Sequence, residues 1–183
     1  ERWFLNTGLR VEASDQGVRY NDDVEDRKRN LKAFNLFPAV NLKYSVSTQS
    51  ALRLALSRTI TRPSFIEMAP FLYQESFGGT QLRGNETLEN GYNWNVDLKY
   101  EFFADKSDDM FTVTGYFKYL DHPIERTQRL SGGALEQTFQ NANNGLAAGI
   151  EAEFRKEIIS DLTISGNASY IFTNVKLPES GAY

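Results

Sequence analysis

The stretch NGYNWNVDLKYEFF, residues 90 to 103, alternates strictly between apolar and polar positions. Tyr92, Trp94, Val96, Leu98, Tyr100 and Phe102 take the even positions, and Asn93, Asn95, Asp97, Lys99 and Glu101 the odd ones. Successive side chains of a strand point to opposite faces, so this segment predicts a strand with one apolar and one charged face. The beat recurs along the chain. Trp3, Leu5, Leu9 and Val11 alternate with Arg2, Asn6, Arg10 and Glu12. Leu36, Val40, Leu42, Tyr44 and Val46 oppose Asn35, Asn41, Lys43 and Ser45, with Phe37 breaking the rule. Leu52, Leu54 and Leu56 oppose Arg53, Ser57 and Thr59. Phe111, Val113, Phe117 and Tyr119 oppose Thr112, Thr114 and Lys118. Two further strands are predicted near residues 146 to 155 and 162 to 172. No stretch sustains a helical period, so the chain reads as all-β.

The connections alternate as well. Segments 47–50, 104–109 and 158–161 are short and polar, while 14–34, 61–90 and 121–141 are long, as is the tail from 173. Compact soluble domains seldom carry several long irregular loops. Outer-membrane barrels join strands with short periplasmic turns and long extracellular loops. Aromatic residues mark both ends of the 92–102 stripe, with Val96 and Leu98 between them, like the two interfacial girdles of such a barrel. The prediction is an antiparallel up-and-down transmembrane β-barrel, of which about seven strands are present. Its even face over 92–102 meets lipid and its odd face a wet lumen. A soluble antiparallel sandwich alternates too, but its turn signals come at regular short spacing.

Composition narrows the chemistry. The chain has 183 residues, a net charge of -4, one His and no Cys. Mild acidity argues against nucleic acid as a partner. Without Cys there are no disulfides, zinc–thiolate clusters or thiol catalysis. No apolar run approaches a membrane helix, a test that β-strands escape. The sequence begins directly in a strand pattern, with no signal-peptide pattern, and closes in the loop-like KLPESGAY. Both ends read as cuts from a longer protein.

No catalytic, metal or cofactor site is predicted. His122, the only histidine, precedes Pro123 and reads as a loop residue. Asp22, Asp23, Glu25 and Asp26 followed by Arg27, Lys28 and Arg29 read as a solvated mixed-charge loop rather than a calcium loop. Arg53, Asp97, Lys99, Glu151, Glu153 and Arg155 are expected to line the lumen as polar ladders or ion pairs. RPSFIEMAP admits two readings: a loop folded into the barrel mouth to touch substrate, or a rigid structural loop. In the second, Pro63 and Pro70 fix the backbone and Arg62 pairs with Glu67.

The segment SRTITRPSFIEMAPFLYQESFGGTQLRGNETLENGYNWNVDLKYEFF resembles the barrel of TonB-dependent outer-membrane receptors. Arg58, Arg62, Pro63, Phe65, Glu67 and Pro70 match one family stretch, and Gly84, Asn85 and Leu88 a second. TGLRVEAS, FKYLDHPIE and NANNGLAAGIEAEFRKEI resemble further barrel segments in the right order. The resemblance implies a barrel of about 22 strands. It also implies a plug domain and a TonB-contacting box upstream, neither of which is in this sequence. Residues 1–183 are therefore expected to be a fragment of the transmembrane β-barrel domain. The implied protein is an energy-coupled receptor in a Gram-negative outer membrane, importing a ferric siderophore, haem, cobalamin or glycan. Its implied partners are outer-membrane lipid, its own plug, the TonB complex, and a surface lipoprotein or other outer-membrane protein. The alternative is a non-transporting barrel serving as adhesin or assembly scaffold. Arg62, Pro63, Phe65, Glu67, Pro70, Gly84 and Asn85 are expected to be structural; the substrate-binding residues are unknown.

Overall fold

The computed structural model describes residues 2–21, 26–74, 76–77, 79–105, 107–131 and 134–177. Asp22, Asp23 and Glu25 of the acidic cluster lie outside the described residues. Seven strands form one antiparallel sheet: β1 (Trp3–Asn21), β2 (Asp26–Ser45), β3 (Ser50–Thr61), β6 (Gly91–Phe103), β7 (Met110–Asp121), β10 (Asn144–Ile159) and β11 (Leu162–Lys176). Each of these strands pairs with the one before it, an up-and-down wall. A single helical turn, α1 (Phe65–Met68), and short strands β4 (Leu72–Gln74) and β5 (Gln81–Arg83) fill the connection from β3 to β6. A hairpin of β8 (Ile124–Ser131) and β9 (Ala134–Asn141) fills the connection from β7 to β10. These four short strands make a second sheet in the order β4-β5-β9-β8.

The register aligns the apolar positions of all seven wall strands on one face. One row runs Trp3, Tyr44, Leu52, Tyr100, Val113, Ala152, Ala168 across the sheet. Nothing in the described chain covers this face: Trp94 is 50% and Leu98 54% exposed. A continuous apolar patch of this kind marks contact with another apolar phase. The opposite face carries rows such as Lys43, Arg53, Lys99, Thr114, Glu151, Ser169.

The strand starts form a staircase. Trp3 opens β1, and Ala168 shares its row, yet β11 opens six residues earlier at Leu162. That is one residue of stagger for each of the six pairings. With about 3.4 Å per residue and about 4.8 Å between strands, the strands tilt about 35°, as barrel closure requires. At that tilt the stripe from Tyr92 to Phe102 rises about 28 Å, close to the apolar band of outer-membrane barrels. The structure contains no helix long and apolar enough to cross a membrane among its described residues; the crossing elements are strands.

The short turns lie together. Ser47 Oγ accepts from the Gln49 and Ser50 amides at 3.2 and 3.0 Å, a hydroxyl-closed turn. Gln49 Nε2 then donates to Asp105 Oδ2 of the next turn at 2.9 Å. The turn after β10 is reduced to Ser160 and Asp161, following a bulge between Glu157 and Ile159.

Two expected loops are instead strands. Residues 14–21 and 26–34 continue β1 and β2 as a hairpin beyond the apolar band. Their outward positions turn polar there, at Asp15, Arg19, Lys28 and Lys32, which removes the alternation that marks a strand. Most of 121–141 is the β8–β9 hairpin, whose few apolar residues keep no strict alternation.

Candidate functional site at the mouth

In β1 the odd positions Leu5, Leu9 and Val11 belong to the apolar face, so Glu12, Gln16 and Tyr20 point the opposite way, into the lumen side. All three hold the β3–β6 connection. Glu12 pairs with Arg62. Gln16 Nε2 donates to the Pro63 carbonyl at 2.6 Å. The Tyr20 hydroxyl donates to Glu86, and its ring meets Phe71 edge-on at 5.8 Å. The connection therefore folds inward, over the mouth of the wall. The Glu86 carboxylate, by accepting that bond and by its charge, raises the Tyr20 phenol above its ordinary range, with partial desolvation acting the same way.

The inward segment is tied by its own sequence. Ser64 caps α1: its Oγ accepts from the Glu67 amide at 3.3 Å, and Glu67 Oε2 accepts from the Ser64 amide at 2.7 Å. This reciprocal box satisfies two otherwise unpaired helix donors. Arg62 thus pairs with Glu12 rather than with Glu67, correcting the expected pair: the capping box already engages Glu67. The Glu67 carbonyl accepts from the Asn85 amide at 2.6 Å. Gly84 is buried against the Ile66 and Ala69 carbonyls, where a Cβ would overlap both. The two motif stretches, RPSFIEMAP and GNETL, are one packed unit.

That unit is joined to the β8–β9 hairpin. β5 pairs in parallel with β9. Leu82, Leu88 and Phe139 are buried together, flanked by Tyr73 and Ile124. Arg83 Nε meets the buried Glu136 carboxylate at 2.7 Å. Asn85 Nδ2 donates to the Phe139 carbonyl at 2.8 Å while its Oδ1 accepts from the Thr87 amide at 2.9 Å. Asn141 closes the unit from below. Its Oδ1 accepts from the Glu89 amide at 2.8 Å, and its Nδ2 donates to the Glu89 and His122 carbonyls at 3.0 and 2.8 Å.

What the platform leaves open is apolar and charged by turns. Phe65 and Ile66 on α1 are 62% and 60% exposed. Between the β1–β2 hairpin and the segment after β5 lies a cleft of about 600 Å³, lined by Arg27, Lys28, Arg29, Glu86, Thr87 and Glu89. His122 sits at φ 51°, its Nδ1 2.8 Å from Asp121 Oδ1, and its carbonyl is part of the platform. No group of His, Asp and Glu side chains among the described residues is arranged to hold a metal ion. On the inner wall Glu101 accepts from Arg53 at 2.6 Å and has Lys99 at 3.9 Å. Asp97, Glu151, Glu153 and Arg155 share that inner face.

Sequence reasoning singled out Arg62 and Asn85 but not their partners. The parity of β1 was the available signal for Glu12, Gln16 and Tyr20. Nothing local marks Asn141 or Glu136.

A model of the outer membrane protein beta-barrel family matches residues 1–182. Among curated protein sequences none matches the chain. The siderophore receptor PirA from Pseudomonas aeruginosa is similar in fold, with a TM-score of 0.68 and 17% identity over 94% of this chain and 35% of that one. The ferric enterobactin receptor PfeA gives 0.63 and 18%, over 93% and 25%. The copper transporter OprC gives 0.66 and 14%, over 94% and 26%. At these identities the likeness is one of fold, and the chain spans about a third or less of each of these proteins.

Proposed function

This chain belongs to the outer membrane protein beta-barrel family, and from that premise we propose that it forms part of the barrel of an energy-coupled, TonB-dependent receptor that imports a scarce ligand. The observation that carries the reading is the inward fold of the β3–β6 connection. Its ties run to Glu12, Gln16 and Tyr20, inner-face positions of the wall. An adhesin or scaffold presents its loops away from the pore. An importer narrows the mouth, so that ligand is captured above the lumen it will cross. The structural neighbours include receptors for siderophores and a copper transporter, which supports a metal-carrying ligand ahead of a glycan.

On this reading Arg62, Pro63, Phe65, Glu67, Pro70, Gly84 and Asn85 shape the platform. The exposed Phe65–Ile66 edge and the Arg27–Arg29 cleft face the ligand. The inner-wall charges, Glu101 with Arg53 and Lys99 among them, meet a plug supplied by the complete protein, which the TonB complex then pulls. A surface lipoprotein or other outer-membrane protein is a further partner of the outer loops.

The test is uptake by cells whose own receptors are deleted and which carry the complete protein. Accumulation of a ferric siderophore that stops when the inner membrane is uncoupled is the expected result. Adhesion without accumulation of any tested ligand would favour the adhesin reading. Cells expressing only residues 1–183 should accumulate nothing.

A further inference from the structure

We propose that Arg58 binds a phosphate of the outer-leaflet glycolipid, on the outside of the wall. Arg58 lies in β3 on the same face as Leu52, Leu54 and Leu56, the face that meets lipid. Among the described outward positions of the seven wall strands it is the one charged side chain between the two rims. The other outward charges sit at or beyond the rims, where water reaches them, and several have partners: Lys156 with Asp109, Lys32 with Asp15 at 3.3 Å, Asp121 with His122 at 2.8 Å. No carboxylate pairs with Arg58 among the described residues.

A lone guanidinium is costly in hydrocarbon, so its height matters. Arg58 shares a row with Trp94 and Tyr119, in the girdle next to the long connections. Its guanidinium carbon lies 4.6 Å from the Tyr92 ring centre and 5.9 Å from that of Trp94. Tyr92 is one row nearer the outside, so the side chain leans toward the headgroup layer, as long cationic side chains do. Nη1 reaches only the Leu36 carbonyl, at 3.4 Å, and Nε has no acceptor. Two aromatic faces and one carbonyl orient the cation without neutralising it.

The outer leaflet of a Gram-negative outer membrane is built of a glycolipid whose glucosamine headgroup carries phosphate monoesters. Interfacial aromatic girdles sit at the level of the lipid headgroups. A guanidinium fork matches a phosphate with two parallel hydrogen bonds, and the half-dehydrated interface strengthens the pair. The charge complements the ligand, and the aromatic clamp fixes the fork before the lipid arrives.

The complete barrel, reconstituted in nanodiscs with a photo-crosslinking residue in place of the outward Ile60, tests this. One set contains bisphosphorylated lipid A, the other the same lipid with its phosphates removed. Labelling of Ile60→benzoylphenylalanine by the phosphorylated lipid should exceed that by the dephosphorylated lipid about tenfold, and Arg58→Gln should abolish the difference. Arg58→Lys, which keeps charge without the fork, should keep part of it. Equal labelling by the two lipids overturns the proposal, as does undiminished preference in Arg58→Gln. If Arg58→Gln fails to assemble, the two-lipid comparison in the parent barrel still decides. Loss of labelling on adding inorganic phosphate would assign the site to the free ion and overturn the lipid.

Discussion

Arg62 and Glu12, 50 residues apart, pair across the mouth and fasten the inward segment to the inner face of β1. Their side chains are 28% and 19% exposed, so water screens the pair only partly. Arg62→Met should loosen the segment by about 1.5–3 kcal/mol, the range for a hydrogen bond to a charged group. Hydrogen exchange over residues 64–90 of the complete barrel should speed up while the wall strands keep their protection. Unchanged exchange would mean that Gln16 and Tyr20 hold the segment without it.

Gly84 is a sharper probe of the same unit. Any Cβ there overlaps the Ile66 and Ala69 carbonyls, which are backbone and cannot swing aside. Gly84→Ala should force α1 away from β5 at a cost of about 1–3 kcal/mol, as overpacking does. The expected readout is protease cleavage within 64–88 of a barrel that still migrates as folded. Gly115, whose Cβ would meet nothing within 4 Å, is the control: Gly115→Ala should leave the mouth unchanged.

At the opposite end, Asp109 fastens the turn before β7 to β10. It pairs with Lys156, and its Oδ1 accepts from the Glu157 amide at 2.8 Å. The Lys156 bond and that amide hold its carboxyl below the ordinary value of 3.8. A depressed folded value means that the stabilisation is full above 3.8 and is lost as pH falls through the folded value. Exchange at the 104–110 turn should rise only under strong acid, and Asp109→Asn should show the loosened turn already at neutral pH. A turn equally protected in both proteins at neutral pH would contradict this.

The wall was legible in the sequence because lipid on one side and water on the other impose a period of two on every crossing strand. Tyr92 to Phe102 shows this without exception. Above the membrane that constraint lapses, which is why the extension of β1 and β2 past Ala13 and Phe34 reads as loop although it pairs residue for residue to Asn21 and Asp26. The mouth was legible only in part. Proline, glycine and the S-x-x-E capping box mark local shape, and Ser64 to Glu67 forms that box. Whom Arg62 pairs with is decided by a strand folded much earlier in the chain. The same holds for Asn85, whose acceptor Phe139 belongs to a hairpin 54 residues on.

The reading as a whole rests on which face of the wall meets lipid. Val96 and Asn95 are neighbours at one depth of β6. Val96 lies in the apolar row with Leu56 and Phe117, and Asn95 in the inner row with Ser57 and Lys118. An arginine on the lipid face near mid-membrane costs roughly 2–4 kcal/mol, and far less on a wet inner face. Folding of the complete barrel into lipid vesicles, followed by heat-modifiable gel migration across a denaturant series, compares Val96→Arg with Asn95→Arg at constant strand, depth and charge. The expected result is a folded fraction lowered strongly by Val96→Arg and little by Asn95→Arg. Equal tolerance of both, or better tolerance of Val96→Arg, would contradict the assignment of the apolar face to lipid.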